Sequence, residues 1–210
     1  NGGDIKGSNS FSIVSVNDTP ILIGDKAVLI DGQEDTGYTI KAEDLLKGYR
    51  DGDGDTLVIE GLKATNGSLK DNGNGTWSFT PTTNFNGQVD LSYTVSDGNG
   101  GNIQGSNSFS IAAVNDAPIL SSEKAVLIDG KEDTSYTIKV EDLLKGYDDV
   151  DGDTLVVEGL KATNGSLKDN GNGTWSFTPT TNFNGKVDLS YTVSDGNGGG
   201  IEADNSFSIA

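Results

Sequence analysis

Three aspartates at alternate positions, Asp51-Gly52-Asp53-Gly54-Asp55, are the residues best spaced to do chemistry, and they recur as Asp149-Val150-Asp151-Gly152-Asp153. With glycine letting the backbone curl, such carboxylates can surround one hard cation. Without the cation their mutual repulsion opposes a compact loop. The loop is not an EF-hand, because Thr56 stands at the sixth position and Leu62 at the twelfth, where glycine and a bidentate glutamate are required. The nonapeptide calcium-roll repeat is absent too. Other acidic spots also recur: Glu34-Asp35 as Glu132-Asp133, Asn17-Asp18 as Asn115-Asp116, and Asp97-Gly98-Asn99-Gly100 with Asp195 at its copy. A single acid beside glycine is ordinarily a turn former. The same set, in the same order, twice over points to metal.

Composition narrows the chemistry further. The chain has 32 acidic against 14 basic residues, a formal charge of −18. Nucleic acid and anionic membrane surfaces are therefore poor partners, since phosphate binding needs clustered Lys and Arg. The counterpart of so much carboxylate is a cation. There is no Cys, His or Met, so disulfides and thiolate or imidazole metal sites are excluded, leaving oxygen ligands suited to Ca²⁺ or Mg²⁺. The usual nucleophile and base pairs are missing as well. Paired carboxylates can hydrolyse glycosides, but acids gathered in turn clusters and copied whole favour a non-catalytic protein. No apolar run is long enough to span a bilayer, and no membrane insertion is expected.

The elements that must position these acids come from a repeat. Asn17-Asp18-Thr19-Pro20 returns as Asn115-Asp116-Ala117-Pro118, Trp77 returns as Trp175 at the same interval, and Glu60 to Gly87 is copied unchanged. The organisation expected is two repeats, 17–114 and 115–210. Residues 1–16 are expected to be the last strand of a preceding repeat, because Ser8-Asn9-Ser10-Phe11-Ser12-Ile13 matches Ser106 to Ile111. The acidic site at 17–18 would then lack its upstream partner, so that the 115–118 junction is the one expected to be complete. Faithful copying suits a spacer, which gains length with each copy.

Within a repeat, Val89, Leu91, Tyr93 and Val95 alternate with Asp90, Ser92 and Thr94, the period of a half-buried strand. Trp77 and Phe79 share a face, and both tryptophans are expected in the core. Asn66-Gly67, Asn72-Gly73-Asn74-Gly75 and Asn86-Gly87 supply hairpin turn chemistry. Glu43-Asp44-Leu45-Leu46-Lys47 reads as one helical turn plugging an end. About seven strands per repeat predict an all-β, immunoglobulin-like sandwich.

The ordered motifs resemble the bacterial cadherin-like tandem repeats of giant RTX-type, type I secreted adhesins. They are Asn17 to Pro20, Glu34 to Thr36, Asp44 to Leu46, Asp51 to Leu57, Phe79 to Pro81, Phe85 to Gly87, Tyr93 to Val95 and Asp97 to Gly100, with the second copy in step. The resemblance implies calcium at the junction between successive sandwiches. Glu34 and Asp35 would come from the upstream repeat, Asn115 and Asp116 from the linker, and Asp149, Asp151, Asp153 and Asp195 from the downstream repeat. The first copy departs from the pattern at two places: Gly52 replaces a bulky residue, and Arg50, which repels cations, stands where the second copy has Asp148.

The function expected is that of calcium-stiffened extender repeats on a bacterial cell surface, partnered by neighbouring repeats of the same chain. Two alternatives remain: a polysaccharide-binding module using exposed aromatics such as Tyr49 or Tyr147, and a self-associating extracellular fibre subunit whose 1–16 strand completes a neighbour's sheet.

Overall fold

The computed structural model describes residues 8–210. Expectations for residues 1–7 lie outside the described residues. The chain divides into two units, Asn1–Ala113 and Val114–Ala210, each an all-β sandwich.

The first unit runs β1 (Ile21–Leu22), β2 (Gly32–Gln33), β3 (Tyr38–Lys41), the helical turn α1 (Ala42–Leu45), β4 (Tyr49–Arg50), β5 (Val58–Ala64), β6 (Gly67–Asp71), β7 (Thr76–Pro81), β8 (Gly87–Ser96) and β9 (Asn102–Ala112). Its sheets are ordered β2-β9-β8-β5 and β3-β7-β6, with β1 paired to β4. The second unit runs β10 (Ile119–Leu120), β11 (Tyr136–Lys139), α2 (Val140–Leu144), β12 (Tyr147–Asp148), β13 (Val156–Ala162), β14 (Gly165–Asp169), β15 (Thr174–Pro179), β16 (Gly185–Ser194) and β17 (Gly200–Ile209). Its sheets are β13-β16-β17 and β11-β15-β14, with β10 paired to β12.

Residues 23–31 form an arm outside any strand. Between β1 and β2 the chain follows β9 without joining its ladder. Side chains bridge the gap instead: Asn107 Nδ2 donates to the Ala27 carbonyl at 3.0 Å, and Ser110 N–H donates to Asp31 Oδ1 at 3.1 Å. These bridges occupy an edge that would otherwise offer unpaired backbone groups.

The core follows from the alternation. Val89, Leu91, Tyr93 and Val95 of β8 are all buried, and burying each such side chain contributes about 1.5–3 kcal/mol. Phe79 is fully buried and meets the Phe109 ring edge-on at 5.6 Å, while Tyr38 stacks on Phe109 at 4.2 Å. Trp77 is half-buried and packs against this cluster from its margin. The helical turn is where the paired leucines predict it: Leu45 is buried, and Tyr93 Oη donates to its carbonyl at 3.1 Å.

Two turns differ from expectation. The stretch Asn72–Gly75 joins β6 to β7 as a hairpin, but Asn66-Gly67 carries the chain from one sheet to the other, since β5 pairs with β8 and β6 with β7. Gly87 likewise opens β8 after a crossing between sheets. The other true hairpin, β8–β9, turns at Asp97–Gly100, among the acids.

Residues 8–16 join no sheet. Phe11 and Ile13 are each 86% exposed, whereas Phe109 and Ile111 of the matching segment are 4% and 3% exposed.

Candidate metal centre

Each repeat gathers acids at the pole where its chain arrives. In the second unit the β16–β17 hairpin delivers Asp195, and the loop after β12 delivers Asp149, Asp151 and Asp153. Asp149 organises that loop: its Oδ1 accepts the N–H of Asp151 at 2.9 Å and of Asp153 at 3.3 Å. Asp195 does the same for its hairpin, taking the N–H of Asn197 at 2.7 Å and of Gly199 at 3.0 Å on Oδ1. The linker is tied in from the other side. Asn115 Nδ2 donates to Asp195 Oδ2 at 2.7 Å, and Asp116 N–H donates to Asp151 Oδ2 at 2.8 Å. Oxygens of Asp149, Asp153 and Asp195 then lie within 4.8 Å of one another.

The first unit repeats this plan. Asp51 Oδ1 accepts from Asp53 and Asp55, Asp97 accepts from Asn99, Gly101 and Asn17, and Asp53 Oδ2 accepts the N–H of Asp18. Its clustered oxygens belong to Asp51, Asp53 and Asp55, again within 4.8 Å.

Electrostatics sets the task of these cradles. The Asn115 amide holds the Asp195 carboxyl below the usual carboxylate range, with the N–H groups of Asn197 and Gly199 overcoming the opposing effect of burial. For Asp97 burial is the largest influence and pushes upward, but the amide of Asn17 and the backbone of Asn99, Gly101 and Gly100 together outweigh it, so its carboxyl is also lowered. Asp97 and Asp195 are thus held ionised beside the other acids of their cradles.

A hard cation fits this donor set on one further observation. Asp149 is 8% exposed, and its Oδ2 is buried with no hydrogen-bond partner; Asp51 Oδ2 in the first unit is in the same position. A buried carboxylate oxygen without a partner is costly. Calcium takes six to eight oxygens in flexible geometry and would satisfy it. Asp149, Asp153 and Asp195 would hold the ion, with the Asn115 amide and the Asp151 N–H fixing two of these carboxylates in place.

Glu34, Asp35, Glu132 and Asp133 stand at the other pole of their own repeats. Glu34 follows β2, and its N–H donates to the Ala112 carbonyl at 3.0 Å; Glu132 does the same to Ala210. Both therefore sit where the chain leaves its repeat, at the far end of β9 or β17 from the cradle. Eleven residues of β9 separate the two poles by about 35 Å. Asp35 and Asp133 adopt positive φ and brace the next loop, accepting the N–H of Asn84 at 3.3 Å and of Asn182 at 3.1 Å.

Four residues essential to the cradle escaped the sequence reading of ligands. Asn99 and Asn197 donate to Asp55 Oδ2 at 2.8 Å and Asp153 Oδ2 at 2.7 Å, locking hairpin to loop. A Cβ at Gly101 or Gly199 would run into the carboxylate of Asp97 or Asp195 and the linker backbone. The Asp-Gly-x-Gly motif carried the signal for these positions.

The model of the cadherin-like domain family matches twice, over residues 16–112 and 114–210. Among solved structures, human protocadherin-24 EC1-2 is similar at 14% identity, covering 92% of this chain and 99% of that one, with a TM-score of 0.49. An endo-fucoidan hydrolase from glycoside hydrolase family 107 is similar at 24% identity over 91% of this chain, with a TM-score of 0.38; the chain spans 29% of its length. The human desmocollin-1 ectodomain is similar at 12% identity over 91% of this chain and 42% of that one, with a TM-score of 0.40. No curated protein matches. With both repeats matched almost end to end, the chain belongs to the cadherin-like domain family.

Proposed function

We propose that the chain is a pair of calcium-stiffened extender repeats, 17–114 and 115–210, from the stalk of an extracellular bacterial adhesin, with residues 1–16 the closing strand of a repeat before them. The observation that carries this reading is the buried, unpartnered Asp149 Oδ2 among the carboxylates of Asp153 and Asp195 at the pole where the chain arrives. Acids also stand at the pole where each chain leaves, in Glu34 and Asp35, so a divalent ion shared across the linker would couple successive repeats. Without metal the clustered charges repel and the linker hinges. The role is mechanical, not catalytic: each copy adds one domain of length.

Small-angle scattering and thermal melting in calcium and in chelator test this. Calcium should extend the particle and raise the melting temperature. Identical profiles and identical melting in both would sink the reading.

One observation favours a second reading, self-association through residues 1–16. Phe11, Ile13, Val14 and Val16 are each more than four-fifths exposed, although two of them match core residues of β9. Deleting 1–16 should then reduce the particle size; an unchanged size counts against it.

A further inference from the structure

The β6–β7 hairpin carries two consecutive asparagine–glycine pairs, Asn72-Gly73 and Asn74-Gly75, copied between β14 and β15 as Asn170-Gly171 and Asn172-Gly173. In such a pair the glycine nitrogen can attack the asparagine side-chain carbonyl, because no Cβ obstructs ring closure. The hairpin treats its two pairs differently. Gly73 N–H is committed to Asp71 Oδ1 at 2.8 Å, and the Asn72 amide is braced against Thr76 Oγ1 at 3.0 Å and Ser78 Oγ at 3.2 Å. Gly75 N–H makes no hydrogen bond among the described residues, while its φ is 77° and its carbonyl is anchored by Ala42 N–H at 2.8 Å. Asn74 Oδ1 accepts from Thr76 Oγ1 at 2.7 Å, which draws electron density from Cγ and steadies the oxyanion that attack creates. The second repeat reproduces every contrast: Gly171 N–H is held by Asp169 at 2.8 Å, and Asn172 Oδ1 is polarised by Thr174 Oγ1 at 2.7 Å.

We propose that Asn74 and Asn172 are self-modifying sites that deamidate spontaneously on the folded protein, while Asn72 and Asn170 persist. The Gly75 nitrogen forms a bond to Asn74 Cγ, and the Cγ–Nδ2 bond breaks. Nδ2 leaves as ammonia with the proton that Gly75 gives up, and a succinimide remains. Water opens that ring at either carbonyl, giving an aspartyl or an isoaspartyl residue; the only co-reactant is water. Each event adds one carboxylate to a chain already at −18. The groove beside Asn74 holds the Lys41–Glu43 ion pair, and its counterpart beside Asn172 holds Lys139–Glu141.

The second repeat gives the cleaner assay, since trypsin cutting after Lys168 and Lys186 releases one peptide holding Asn170, Asn172, Asn182 and Asn184. The whole chain is aged in mildly alkaline buffer, digested and sequenced by fragment-ion mass spectrometry, with the mass gain of amide-to-acid exchange located residue by residue. Breaking a hydrogen bond to a carboxylate slows attack by about tenfold or more, so Asn172 should convert at least that much faster than Asn170. In denaturant the two rates should converge. Thr174→Val should slow Asn172 several-fold, and Thr174→Ser should restore it. Equal rates in the folded protein, faster conversion at Asn170, or a Thr174→Val rate equal to that of the parent would each overturn the proposal.

Discussion

Replacing Asp149 by asparagine should push the protein in opposite directions depending on calcium. The swap keeps size and shape, and the asparagine Oδ1 can still take the N–H groups of Asp151 and Asp153 that Asp149 Oδ1 takes now. At the second oxygen, which is buried without a hydrogen-bond partner, the variant places an NH2 group facing acceptors. Asp149 and Asp153 present oxygens within 4.8 Å, a like-charge pair worth about 3 kcal/mol of repulsion at an effective dielectric of 20. Water reaching the partly exposed Asp153 screens this, leaving about 1 kcal/mol; Asp195 acts in the same direction. In chelator the second repeat should therefore melt about 4–8 °C higher than the parent. In calcium the sign reverses: one charged ligand is gone, affinity should fall by about tenfold or more, and most of the calcium-induced gain should disappear. Thermal unfolding followed by circular dichroism, with and without chelator, reads both numbers on one sample. If Asp149→Asn melts lower than the parent in chelator, or keeps its full calcium shift, the acids are not a metal cradle held against repulsion.

Gly199→Ala should lower both stability and calcium affinity, because its Cβ would overlap the Asp195 carboxylate and approach Ala117 Cα at 2.8 Å and the Asp116 carbonyl at 3.0 Å. Its backbone is one that alanine adopts, so the cost is steric, about 1–3 kcal/mol, and calorimetric unfolding should show it. Asp148→Arg gives the second cradle the charge pattern of the first, with Arg50; titration calorimetry should find calcium binding there about tenfold weaker at low salt, and the difference should shrink at high salt. Acid should destabilise in a defined window. Asp97 and Asp195 have folded carboxyls below the ordinary value of 3.8, so their stabilisation is complete above that value and is lost as pH falls through it. Melting temperature in chelator should hold level above about pH 5 and drop below about pH 4; a drop that begins near neutrality would contradict the assignment.

The strand alternation of β8, the paired leucines of α1 and the acid clusters were legible because each is written in local spacing. The cradle as an object was legible only through the family resemblance, not from spacing. Asp195 joins Asp149 only because the β16–β17 hairpin turns beside the loop after β12, a tertiary fact with no periodic signature. Asn99 and Asn197 read as turn residues, and their bond to Asp55 and Asp153 depends on that same meeting. The arm 26–31 was not legible either. Its sequence assigns it no element, and the Asn107 and Asp31 side chains occupy the hydrogen-bonding positions a ladder would have used. Trp77, with Phe79 two residues on, was legible as inward-facing, but its size keeps it at the core's margin while Phe79 fills the centre.

The position of the two poles at opposite ends of β9 also decides how a repeat meets a pulling force. Tension entering through Asn17 is handed to Asp97, and tension leaving through Ala112 draws β9 along its own axis. β9 is then sheared against the arriving arm and the parallel β2, through the Gly32–Ile111 and Gln33–Ala112 pairs and the Asn107–Ala27 and Ser110–Asp31 bonds. A hairpin peeled from its tip breaks one rung at a time, but a strand dragged lengthwise must break its rungs together. Each sandwich is strung so that the arm bonded alongside β9 takes the load.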